Sequence, residues 1–284
     1  MYFKVKKWWL VCGVLFCVSL ISAQDDLLAE LEQAEEPNYS LPAFKAMRIC
    51  NLQSTKLAEK GDFYLAIAHR FGPLNEGIET LFGLDMANTK IQFLYGLGDN
   101  LQISFSRESY KRTYAGALKY RVFEQEEDLP LNLVIYGAAF VDTLISETNF
   151  SDLQFADRMS YVVQLLASRR FSKKLSLQIA PSYIRENIQD LNLVSKAEHN
   201  QFALGAGGRY KLSKRISVNA EYIYNFNRPG TSMFDNGYAF GMDIETGGHV
   251  FQLLFTNSES TNEPGFMSYA DGQLRFGFNI IRVF

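Results

Sequence analysis

The residues able to do chemistry in this chain are few and scattered. Three histidines occur in 284 residues, His69, His199 and His249, together with three cysteines. Nucleophilic or general-base catalysis needs a nucleophile and a base within hydrogen-bond reach. His199 lies four residues from Ser195, a spacing that matches no known triad, and His69 and His249 fall in segments expected to end at opposite faces of a membrane. No His/Cys cluster has metal-ligand spacing, so neither a metal nor another cofactor is expected. Asp85, Asp142, Asp152 and Asp157 could meet a divalent cation, but solvated loop charges are the plainer reading. Gly205-Ala206-Gly207-Gly208 resembles a phosphate loop only in glycine count. Strand-like alternation runs through it and no helix follows, which indicates close packing or a bend. Asn38-Tyr39-Ser40 and Asn149-Phe150-Ser151 fit a glycosylation pattern that matters only in a eukaryotic secretory route. The chain is expected not to be an enzyme.

The elements that would carry these residues are strands. Aromatic residues make up 14% of the chain, with 23 Phe and 15 Tyr against 7 Pro, a mixture suited to pleated surfaces. With 47% hydrophobic and 21% charged residues the chain is not disordered. A net charge of −3 leaves no electrostatic footprint for nucleic acid. A mean hydropathy of −0.10 with one long apolar run excludes a bundle of membrane helices.

That run lies at the front. Lys4, Lys6 and Lys7 precede an apolar stretch from Trp8 to Leu20, followed by Ser22-Ala23-Gln24. This is the layout of a cleaved export signal over residues 1–24. Cleavage would remove three Lys and no acids, taking the net charge from −3 to about −6. It would also leave Cys50 alone, so no internal disulfide could form. Residues 25–61 read as a periplasmic leader, whose acidic stretch Asp25 to Glu36 is either a short helix or disordered. A periplasmic protein partner could engage it. Ala43 to Ser54 would make the strand count odd if it were a strand, so it is expected to tuck into the barrel lumen or its periplasmic mouth.

Residues 62–284 repeat one pattern, an apolar or aromatic side chain at every second position over 10 to 14 residues. Twelve strands are expected near 62–71, 88–98, 100–108, 112–124, 130–141, 158–171, 174–185, 199–212, 215–226, 237–245, 248–257 and 272–284. Their length suits tilted membrane strands, and their connections alternate between tight and long. An even strand count with short turns at one end and long loops at the other is the pattern of an outer-membrane barrel. The fold class is therefore an all-β, antiparallel, up-and-down transmembrane barrel, with the outer membrane of a Gram-negative bacterium as its location and lipid as its surroundings. The C-terminal Phe284 resembles the signal by which barrel-assembly machinery recognises its clients.

Certain blocks resemble a known family. His69-Arg70-Phe71-Gly72, then Leu81-Phe82-Gly83-Leu84-Asp85 and Gln92-Phe93-Leu94-Tyr95-Gly96-Leu97 look like a Gram-negative β-barrel family known as domain of unknown function 5777. Phe44 to Ser54, Lys119-Tyr120-Arg121 and Phe276-Gly277-Phe278-Asn279 to Phe284 extend the likeness. It implies a barrel in the outer membrane and supplies no activity.

Strand parity sorts the charges. Arg70, Lys90, Lys119, Arg121, Arg170, Arg209, Lys211 and Arg275 should face inward, against Glu221, Asp243 and Glu245. A basic lumen would favour anions; alternatively these groups pair with one another and with loop carboxylates and fill the interior. Leu94, Phe123, Val134, Phe140, Leu166, Ile184, Ile223, Leu254 and Ile281 share that face, which argues for a narrow or occluded lumen. The functional expectation is a narrow channel or binding barrel for a small anionic solute. The alternatives are an accessory subunit of an envelope complex and, less favoured, a lipid-modifying enzyme. By parity His69 points outward, either as an interfacial girdle residue or at a bulge that turns it inward.

Overall fold

The computed structural model describes residues 42–145, 152–189, 194–230 and 233–284. The expected signal over 1–24, the acidic leader helix and both glycosylation-like triplets lie outside these residues. Twelve strands run β1 (Phe63–Pro73), β2 (Ala87–Gly98), β3 (Leu101–Glu108), β4 (Tyr114–Phe123), β5 (Asn132–Val141), β6 (Met159–Arg170), β7 (Leu175–Glu186), β8 (Asn200–Lys211), β9 (Ile216–Asn225), β10 (Gly237–Thr246), β11 (His249–Thr256) and β12 (Arg275–Val283). Each pairs antiparallel with its sequence neighbours, and β1 closes on β12 through Tyr64↔Val283 to Arg70↔Gly277. Closure leaves no unpaired sheet edge, the condition for backbone to cross lipid.

Alternation sets which face each side chain takes. Along β2, Asn88, Lys90, Gln92 and Leu94 are buried while Ile91, Phe93, Tyr95 and Leu97 are exposed on the outer wall. Exposed Phe105, Leu118, Val163, Ile179, Phe202 and Phe240 continue that wall around the barrel. Such an apolar outer band facing lipid with a polar interior is the membrane-barrel arrangement. Connections at the end bearing Phe63 and Phe284 include the turns at 99–100, 171–174, 212–215 and 247–248; the opposite end carries 74–86, 142–158, 187–199 and 257–274. Two connections blur the sorting: 124–131 is longer than its companions and 109–113 is shorter.

The interior is filled from both ends. Residues 43–58 enter without joining the sheet, and Phe44, Met47, Ile49, Cys50, Leu52 and Leu57 are each at most 3% exposed. From the other end the β11–β12 connection folds inward as a short helix α1 (Glu263–Ser268), every residue of which is buried. Leu52 and Leu57 from one side and Phe266 and Met267 from the other share an apolar cluster with wall residues Val134, Phe140, Leu166, Ile184 and Ile223. The lumen is occluded, as the inward apolar set indicates.

Candidate functional site

The site is the seam between the barrel wall and the segment inside it. Residues 46–55 form a tight hairpin, with Arg48 bridged antiparallel to Gln53. Ile49 N–H donates to Leu52 O at 2.8 Å and Ser54 N–H to Met47 O at 3.0 Å. The hairpin tip carries backbone N–H groups that no strand satisfies. Glu221 on β9 accepts three of them, from Cys50 (3.0 Å), Asn51 (2.8 Å) and Leu52 (3.1 Å). Hydrogen bonds to a charged group are worth roughly 1.5–3 kcal/mol each, so one wall carboxylate fixes the position of the tip. Asn279 Nδ2 donates to Cys50 O at 2.9 Å, and Gln252 Nε2 to Ile49 O at 3.0 Å.

Two glycines make room for this insertion. A Cβ at Gly205 would sit 2.9 Å from Leu52 Cδ2, and one at Gly207 would sit 2.9 Å from Ile49 Cδ1. The glycine-rich stretch of β8 is therefore the recess that accepts the hairpin, and close packing accounts for it.

The wall cations meet the hairpin through uncharged oxygens. Lys119 Nζ donates to Ser54 O (3.1 Å) and Lys56 O (3.2 Å). Arg70 donates to Asn51 Oδ1 (2.8 Å) and Asn279 Oδ1 (3.0 Å), and Arg170 to Pro42 O (3.2 Å). Lys90 Nζ donates to Asn262 Oδ1 of the inward loop at 2.7 Å. Among the described residues none of these four cations lies within 4.0 Å of a carboxylate, whereas Arg48–Glu263, Arg121–Glu124, Arg209–Glu245 and Arg275–Asp271 are ion pairs.

Three buried acids fall outside the parity list and hold the external plug. Glu108 accepts from Thr261 N–H (2.6 Å), Thr261 Oγ1 (2.9 Å) and Ser260 Oγ (3.0 Å). Glu186 accepts the Tyr269 hydroxyl at 2.9 Å, and Glu263 of α1 joins Gln53 at 2.8 Å, tying the two plugs together. Alternation through Gln102 and Ser106 carries Glu108 to the inner face, so the signal was present in β3. Glu186 is the last residue of β7, where alternation gives way to loop, and Glu263 lies in a loop with no strand period. These acids shrink the inward basic excess. Arg121, Lys211 and Glu245 are only half-buried, while Arg70, Lys90, Lys119, Arg170, Arg209, Arg275, Glu221 and Asp243 are fully buried as parity requires.

The chain matches, over residues 44–284, a family described as a membrane bound beta barrel domain (DUF5777). The chain belongs to that family. No curated protein matches it. Among solved structures, the NanC porin aligns over 77% of this chain and 97% of its own at 11% identity and a TM-score of 0.50. The KdgM porin aligns over 78% and 99% at 9% identity and a TM-score of 0.50. An outer membrane channel from Pseudomonas putida F1 aligns over 81% and 97% at 13% identity and a TM-score of 0.46. At the identities of the first two the likeness concerns the fold alone, and this chain is a closed, membrane-bound β-barrel.

The family blocks have structural roles. His69 points outward, stacked on Phe278 at 5.1 Å and beside Phe71 at 4.5 Å, and shares a 2.9 Å hydrogen bond with Thr89 Oγ1. It is a wall residue; the β1–β12 register shift lies beyond it, between Arg70 and Pro73. Gly72 N–H donates to Gly83 O at 2.8 Å, and the Leu81-Phe82 pair beside it is left-handed. Phe82 and Asp85 are exposed on that loop. His199 Nδ1 lies 2.8 Å from Glu186 O, while Ser195 Oγ donates to Gly230 O instead. His249 stacks on Phe251 at 5.8 Å. Asp142 caps Leu144 and Asp157 caps Gln154, and no cluster fit to hold a metal occurs among the described residues. Phe284 N–H donates to Phe63 O at 2.9 Å and its exposed ring lies under the Arg282 guanidinium.

Proposed function

We propose that this barrel is a plugged passage for small anionic solutes, closed by residues 43–58 and opened when they leave the lumen. One observation carries the reading: among the described residues Lys119, Arg70, Lys90 and Arg170 are buried cations whose side-chain hydrogen bonds go to neutral oxygens, with no carboxylate within 4.0 Å. A buried charge is costly unless paired, and carbonyl dipoles pair it less well than an anion would. With the hairpin gone, Lys119 and Arg70 would line the space it leaves and favour negatively charged solutes. The reading assigns no catalytic role to the histidines. It gives Phe284, at the free end of β12, the part of the assembly signal.

Flux from liposomes tests it. Removing residues 43–54 should release a small sugar acid faster than a neutral sugar of equal size, and Lys119→Gln in that background should narrow the difference. Equal rates for both solutes would contradict the reading. A second reading, a filled barrel serving as an accessory subunit, is favoured by the tie between the two plugs through Gln53 and Glu263. Partners that co-purify only with the intact plug would support it.

A further inference from the structure

The periplasmic mouth holds a cluster of like charges that the plug does not neutralise. Arg170 on β6 is level with Ser176 on β7, and Ser176 is level with Arg209 on β8. The two arginines thus face inward two strands apart, about 10 Å between backbones, with a small hydroxyl residue between them. Lys211 lies two residues beyond Arg209, on the same face of β8. Arg209, Lys45 and Arg170 all stand close enough to Lys211 to repel its charge. Lys45 is an exposed residue at the entry of the inserted segment.

Among the described residues two carboxylates stand near these four cations, Glu245 and the buried Asp243, both close to Arg209. Glu245 on β10 pairs with Arg209, whose Nε also donates to Ser217 Oγ at 2.8 Å. Arg170 spends its terminal nitrogens on two carbonyls, Pro42 O (3.2 Å) and Lys173 O (3.0 Å). Its Nε is buried and among the described residues has no hydrogen-bond partner. Arg170 itself is 8% exposed. A buried donor left unmade is costly, and a planar guanidinium is matched by an oxyanion. The acidic run Glu124 to Asp128 belongs to the neighbouring turn between β4 and β5, where Arg121 takes Glu124 at 3.1 Å.

We propose that Arg170, Arg209 and Lys211, with Lys45, form a binding site at the periplasmic mouth for the phosphate or carboxylate group of a small soluble anion. This deepens the passage reading by placing a station for the solute on the periplasmic side. The side chains face the lumen rather than lipid, so the occupant is a solute and not a phospholipid head. Glu245 competes with it for Arg209.

Calorimetric titration of the intact, plugged chain with inorganic phosphate in a phosphate-free detergent is the test. Binding is expected, weakened about tenfold by Arg170→Gln or Lys211→Gln, since a charge-assisted hydrogen bond is worth about that factor. Glu245→Gln should tighten binding severalfold by releasing Arg209, an effect that a merely structural role would not produce. Lys196→Gln, exposed in the 187–199 connection at the opposite end of the barrel, should leave it unchanged. Heat-modifiable migration checks that each variant is folded. Absence of phosphate binding by folded wild-type protein, or weakening by Glu245→Gln, would overturn the site; so would displacement of phosphate by phosphatidylglycerol doped into the micelle. Because the plugged chain is titrated, this result is independent of whether the plug ever opens.

Discussion

Glu221 shows how one side chain can decide the state of the lumen. Its two oxygens collect three amides from a turn whose N–H groups find no partner in any strand backbone. Glu221→Ala leaves those donors buried and unmade, at about 1–3 kcal/mol for each unsatisfied group. Cys50, 1% exposed at the hairpin tip, reports the outcome. Its reaction with a maleimide, read by mass spectrometry of the labelled peptide, should accelerate at least tenfold in the variant. An unchanged rate would show that the tip is held by other contacts. Parity assigned Glu221 to the inner face, yet nothing in the sequence paired it with residues 170 positions earlier. That pairing depends on backbone amides, which carry no residue signature.

At the scale of elements, the strands and the plug were legible to different degrees. Strand alternation is imposed by a wall with lipid on one side and a lumen on the other, so it repeats from β1 to β12 and locates them within a few residues. The plug has no such period. Ala43 to Ser54 stood out because it lay outside the pattern and would have spoiled an even count. Its hairpin form follows from contacts to at least seven different strands. α1 left no signal, since a loop of polar residues and one Pro reads as external and exposed. The glycine run of β8 was legible as a place of close approach, but its guest, Leu52 over Gly205, was not. Gly205→Ile should therefore wedge the hairpin outward without breaking the barrel. Heat-modifiable migration should persist while Cys50 labelling rises, and loss of that migration would show that Gly205 serves the wall instead.

At the scale of the whole molecule, a closed sheet satisfies its own backbone and presents aromatic and aliphatic rings to lipid. The inner face can then hold charge at a density no soluble core accepts. The thin mean hydropathy of −0.10 is the average of those two faces. The plug converts that charged tube into a filled one by lending carbonyls to Lys119, Arg170 and Arg70, while Glu108 and Glu186 anchor the lid of the other end. The account thus turns on a single claim, that with the inserted segment gone the β11–β12 connection does not by itself close the lumen to anions. Reversal potentials across planar bilayers under a salt gradient test it most directly. The intact chain should be nearly silent, and the chain lacking residues 43–54 should conduct with a clear preference for anions; a folded, plug-deleted barrel that stays silent or prefers cations would contradict it.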